Sequence, residues 1–138
     1  MKEYTYEQLE AGMTETFSVT VTEEMLEQFM EISKDENPLH RDASYARQKG
    51  YKDKVAYGML TASFMSTVAG MYLPGKRSLI HKIEAEFPRP VYVGDTLCVE
   101  GKVSEKEDAF RLIYLKVVIR NEQGEKVLRG KMRIQVLD

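Results

Sequence analysis

One cysteine, Cys98, stands alone among 138 residues, and there is no tryptophan. A single thiol excludes an internal disulfide and a multi-cysteine zinc site, and it suits a reducing compartment. There is no long hydrophobic run. The longest mostly apolar stretch, residues 58–73, is shorter than the roughly 20 residues a membrane helix needs and contains Thr61, Ser63, Ser66 and Thr67. An excess of either charge is also missing: 20 Lys and Arg face 22 Asp and Glu, for a net charge of -2. With no basic cluster, nucleic acid is a poor candidate for a partner. The opening MKEYTYEQLE has no apolar core of the signal-peptide kind. Repeats, low-complexity tracts and linkers are absent. What remains reads as one soluble, cytoplasmic domain over residues 1–138. Its 43% apolar and 30% charged residues are an ordinary globular balance, and a chain this long buries a substantial core without staples.

The hydrophobic pattern divides the chain. Glu15 to Val21 alternates as a strand does, with Phe17, Val19 and Val21 on one face. Thr22 then reads as a helix N-cap, followed by Glu23 and Glu24 at the positive end of the dipole. Met25, Phe29 and Ile32 follow at helical spacing and predict one buried stripe. From Ser33 to Asp42 the periodicity stops. Pro38 forces Asn37 into extended backbone, so no regular helix is expected through this segment. Ala43 to Lys49 predicts a short helix ended by Gly50. Residues 58–73, GMLTASFMSTVAGMYL, carry apolar or small residues on every face. That composition predicts a helix buried nearly all round, stopped by Pro74-Gly75.

The second half has the period of strands. Leu97, Val99, Gly101 and Val103 alternate with polar residues. Phe110, Leu112 and Tyr114 do likewise, while Ile113, Leu115, Val117 and Ile119 make the other face apolar too. Asn121-Glu122-Gln123-Gly124 reads as a turn, and Val127 to Leu137 as another strand. With Leu79 to Phe87 this makes about four strands in a row and no helical pattern between them, hence an antiparallel sheet. One buried helix with one long antiparallel sheet predicts an α+β hot-dog fold, a curved sheet wrapped around a long central helix. The two-sided apolar strand near Ile113 to Ile119 predicts a covering partner, a homodimer or higher homo-oligomer.

The chemistry-bearing segment is Ser33-Lys34-Asp35-Glu36-Asn37-Pro38-Leu39-His40-Arg41-Asp42. Asp35 and His40 lie five apart across a proline bend. On a regular helix that spacing would splay the side chains, whereas on a bent loop both can face one cleft. A carboxylate beside an imidazole can activate water and move protons near neutral pH. The plainer reading of these residues is a solvated loop with an Asx-Pro turn.

Ser33 to His40 resembles the motif of MaoC-like (R)-specific enoyl-CoA hydratases, S-G-D-x-N-P-[LIV]-H. The resemblance continues in order through Ala56-Tyr57-Gly58-Met59-Leu60, Leu73-Pro74-Gly75 and the stretch Phe87-Pro88-Arg89-Pro90-Val91-Tyr92-Val93-Gly94-Asp95-Thr96-Leu97. It implies reversible hydration of trans-2-enoyl thioesters to (R)-3-hydroxyacyl thioesters on coenzyme A or acyl carrier protein, with no metal or other cofactor. It implies Asp35 and His40 as the catalytic pair, Asn37 as a support of the loop and Gly58 as a backbone N–H donor to the thioester oxygen. Ser66 matches a serine that shapes the site. The donor role also makes physical sense, because Gly58 opens a helix, where free N–H groups favour developing negative charge.

Two positions depart from the pattern. Lys34 stands where glycine is usual, so a positive φ there would strain it. Tyr57 stands where histidine is common before Gly58. They leave room for a non-catalytic acyl-thioester binding protein as the alternative. A hot-dog thioesterase would need a carboxylate on or near the central helix, and residues 58–73 contain none.

Overall fold

The computed structural model describes all residues, 1–138. Five strands form one antiparallel sheet: β1 (Thr14–Thr20), β2 (Ser78–Glu86), β3 (Thr96–Glu107), β4 (Leu112–Arg120) and β5 (Lys126–Val136), in the order β1-β3-β4-β5-β2. Period-two alternation turns Leu97, Val99 and Val103 of β3, Ile113, Leu115, Val117 and Ile119 of β4, and Leu128, Met132 and Ile134 of β5 into the core. The β4–β5 turn is held by Asn121, whose Oδ1 accepts from the N–H groups of Gln123 and Glu125.

Four α-helices sit between the strands: α1 (Glu23–Ser33), α2 (Pro38–Arg41), α3 (Ala43–Gln48) and α4 (Gly58–Thr67), the last running on into one π turn over Val68–Tyr72. Thr22 caps α1 as expected, its Oγ1 accepting from the Met25 N–H at 3.2 Å. The sheet lies against α4 because two strand positions lack a side chain. A Cβ on Gly101 would run into Val68, and one on Gly130 into Met65. Hydrophobic burial across this contact holds the layers together.

Several expectations need correction. Helix α1 buries Leu26 rather than Ile32, which is 80% exposed. Both residues satisfy a helical period, and the face that docks is Met25, Leu26, Phe29 and Met30, so two of the three expected stripe residues do pack inward. Segment 33–42 does contain a turn of helix, α2. Asn37 is extended as Pro38 requires, but Pro38 itself occupies the first turn, where its missing N–H costs nothing.

Nor is α4 buried all round. Leu60, Thr61, Ala62 and Met65 face inward, whereas Met59, Ser63 and Ser66 form an exposed stripe at i, i+4 and i+7. One sheet covers only one side of a helix. Strand β4 is less two-sided than its sequence reads, since Tyr114 and Val118 on its outer face are half-buried and Lys116 and Arg120 interleave them. The surplus of exposed apolar surface is elsewhere, at Leu79 and Ile83 on the edge strand β2 and at Met59 on α4.

Candidate active site

The segment after α1 is built from local hydrogen bonds. Lys34 closes α1 in the left-handed conformation (φ 64°, ψ 17°), its N–H donating to the Met30 carbonyl at 2.7 Å. A non-glycine residue there carries strain of roughly 1–2 kcal/mol, as the departure from glycine anticipates. The Asn37 N–H donates to Asp35 Oδ1 at 3.0 Å, and the Leu39 N–H to Asn37 Oδ1 at 2.9 Å. Asn37 is therefore the N-cap of α2. Asp42 caps α3 in the same way, accepting from Tyr45, and Arg41 pairs with Glu27 at 2.6 Å rather than with Asp42.

His40 is anchored through one ring nitrogen. Its Nδ1 lies 2.7 Å from the Val55 carbonyl oxygen. A carbonyl only accepts, so Nδ1 carries a proton, and in the neutral form of the ring the lone pair is on Nε2. The Val55 N–H returns a bond to the Leu39 carbonyl at 3.0 Å, which ties the two segments as a short rung. Next along the chain, Ala56 donates to Val91 at 2.7 Å. Gly58 then opens α4, and its N–H has no acceptor within the chain. It is a free donor at the positive end of a helix.

His40 and Gly58 line one cleft of about 300 Å³, walled by Leu39, Val55, Thr61, Phe87 and Val91 among others. The fold thus brings together two of the residues singled out from sequence. Asp35 is exposed and does not line this cleft, but Tyr57 ties it to the His40 wall. The Tyr57 hydroxyl donates to the Asp35 backbone carbonyl at 2.5 Å, and its ring lies 4.2 Å from the His40 ring and 4.9 Å from Phe29. Burial holds the Tyr57 phenol above its ordinary pKa, so it stays a protonated donor. Ser66 is not brought to the cleft. Eight residues along α4 from Gly58 is about 12 Å of rise, and Ser66 sits on the exposed stripe.

Sequence reasoning passes over Thr61 and Phe87. Thr61 is the one buried polar residue of the chain, 2% exposed, and lines the cleft one turn beyond Gly58; that i+3 spacing is the available signal. The Phe87 ring lies 3.4 Å from the position a Cβ on Gly58 would take, so a side chain there would rest against this wall.

Comparison with known proteins agrees with this frame. Residues 7–124 match the model of the MaoC like domain. The chain belongs to the MaoC-like family. This MaoC-like chain is 34% identical over 106 residues to an (R)-specific enoyl-CoA hydratase of Rhodospirillum rubrum, covering 74% of each. It is 31% identical over 108 residues to the (R)-specific enoyl-CoA hydratase of Aeromonas caviae, covering 78% of this chain and 81% of the relative. The solved (R)-hydratase of A. caviae superposes with a TM-score of 0.90 at 28% identity over 94% of this chain and 98% of that one. The unliganded R-hydratase PhaJ1 of Pseudomonas aeruginosa also gives 0.90, at 31% identity over 97% of this chain and 86% of that one. The curled antiparallel sheet with α4 packed on it is the hot-dog fold of these relatives.

Proposed function

We propose that this MaoC-like chain is a hydro-lyase that interconverts trans-2-enoyl and (R)-3-hydroxyacyl thioesters. The observation that carries the reading is the shared cleft, lined both by a histidine whose Nδ1 is held by the Val55 carbonyl and by a glycine whose helix-N-terminal N–H has no acceptor within the chain. In the hydration direction, His40 takes a proton from a water molecule as its oxygen bonds to C3 of the substrate, and the motif assigns Asp35, whose side chain lies outside the cleft in the single chain, to the same water. Negative charge develops on the thioester oxygen, where the Gly58 N–H stabilises it. A proton delivered to C2 completes the addition, so one water enters and nothing is oxidised or reduced. Asn37 supports the loop by capping α2. The naming of the relatives as (R)-specific enoyl-CoA hydratases supports the same chemistry. The thioester is carried on coenzyme A or acyl carrier protein.

The chain works as a homodimer in this reading. Strand β2 is a free sheet edge with Leu79 and Ile83 exposed, and the Met59–Ser63–Ser66 stripe of α4 is uncovered in a single chain. A second copy over these surfaces would cover Ser66, which gives it a route to shape the site that the single chain lacks. Light scattering should return twice the chain mass at micromolar concentration, and a monomer would contradict it. No helix is long and apolar enough to cross a membrane. The exposed free thiol of Cys98 suits the cytoplasm as the place of work.

Crotonyl-CoA tests the activity directly. Its conjugated absorbance should fall on mixing with the protein, and the product should be the (R)-3-hydroxy isomer. Unchanged absorbance with enoyl thioesters of every chain length, on both carriers, would leave a non-catalytic binding protein in its place.

A further inference from the structure

Lys34 and Tyr57, the two positions that depart from the motif, act on either side of Asp35. Lys34 enters the Asp35 turn in the left-handed conformation. Asp35 follows it directly, and the Asp35 carbonyl is the acceptor of the Tyr57 hydroxyl, 22 residues away in sequence. Tyr57 is 1% exposed, stacks obliquely on His40 and directly precedes Gly58. One side chain therefore touches α1 through Phe29, the Asp35 peptide and the His40 ring, and its own backbone leads into the Gly58 donor.

We propose that Tyr57 is a positioning residue whose buried hydroxyl holds the Asp35 turn against the strain at Lys34, keeping Asp35 and His40 in one arrangement. A left-handed lysine favours relaxation of the turn toward negative φ, which would carry the Asp35 carboxylate with it. The tie to Tyr57 opposes that relaxation at the carbonyl immediately after the strained residue. No other side-chain hydrogen bond reaches this turn from outside segment 33–39. The two departures are then one device, each making the other matter, and the inference rests on the hydratase reading for its effect on rate but not for its effect on the turn.

A double-mutant cycle tests it, with Tyr57→Phe, Lys34→Gly and the two combined. Tyr57→Phe keeps the ring on His40 and removes only the hydroxyl. With crotonyl-CoA, Tyr57→Phe should lower kcat about tenfold, the scale of one hydrogen bond, and leave KM within about twofold. Amide exchange at Asn37 and Leu39 should speed up about tenfold, with no change at core strand residues such as Leu115 and Ile119. In the Lys34→Gly background the same change should cost less than about threefold, because little strain is left to oppose. Equal losses in both backgrounds would overturn the coupling. Wild-type kinetics in Tyr57→Phe, or exchange that rises across the whole sheet, would overturn the positioning role. If the wild type hydrates no enoyl thioester, the hydratase reading falls, and the exchange cycle alone confirms or overturns the tie.

Discussion

Two buried tyrosines, Tyr6 and Tyr57, each donate one 2.5 Å hydrogen bond, and each stands beside one of the two non-glycine residues with positive φ, Arg111 and Lys34. The regions they hold are of opposite kind. Tyr6 donates to Asp108, its carbonyl accepts from Lys106, and Lys106 and Arg111 lie over its ring. Arg111 in turn pairs with Glu7 and Asp138. The strain at Arg111 is thus offset by several contacts that join the N-terminal segment to the β3–β4 hairpin. Around Tyr57 a single hydroxyl reaches the Asp35 turn, and the Lys34 side chain is exposed. Redundant ties secure a fold, whereas one tie beside the proposed reacting groups leaves a turn able to govern a rate.

The largest losses are expected at the proposed catalytic pair. Asp35→Asn, nearly isosteric, and His40→Ala should each cost roughly 10²–10⁴-fold in kcat. Asp35→Asn should melt close to wild type because Asp35 is exposed, whereas His40→Ala also gives up the Val55 bond and the Tyr57 contact and should melt lower. Next in size is Gly58. Its place at the first position of α4, after a Tyr57 with ψ 126°, suits proline. Gly58→Pro deletes the N–H donor and should lower kcat about 10²–10³-fold. Gly58→Ala keeps the donor and only crowds Phe87, so it should fall well short of that loss.

Tyr6→Phe sharpens the contrast from the other side. It should destabilise the fold by about 1.5–3 kcal/mol, the scale of a hydrogen bond to a charged group, and leave crotonyl-CoA hydration unchanged. Denaturant titration and a rate assay separate the two readouts. The smallest effect is the pH dependence of the Tyr6 contact. Burial first, and then the bond to Asp108, push the Tyr6 phenol up to about 12 from 10.0. The folded state therefore favours the protonated form. This contribution is complete below about pH 10 and is lost as pH rises toward about 12. Stability measured by urea unfolding should decline across that window in the wild type, and less steeply in Tyr6→Phe.

The sheet is readable from sequence because alternation is a local signal. Leu97, Val99 and Val103 fall on one strand face by pattern alone, and all three are buried. Helix α4 is readable too, since residues 58–73 have no face polar enough to be fully solvated. Its open stripe is not, because serine and methionine at Met59, Ser63 and Ser66 tolerate either environment. Ile32 and Leu26 both fit a helical period, and only docking against the core chooses Leu26. In the site, Asp35, Asn37, His40 and Gly58 are marked by their motif and Asn37 by its capping chemistry. Tyr57 is legible only as a departure. Its partner is a backbone carbonyl distant in sequence, and no residue pattern encodes such a bond.

The proposed hydration depends most directly on Asp35 and His40 acting as one unit on one water. The decisive measurement is kcat for crotonyl-CoA hydration in Asp35→Asn, His40→Ala and the double variant. Groups that act as a unit are strongly non-additive, so the double variant should be little slower than the slower single. Losses that multiply would mean two independent contributions, and a double variant as active as the wild type would remove both residues from the chemistry.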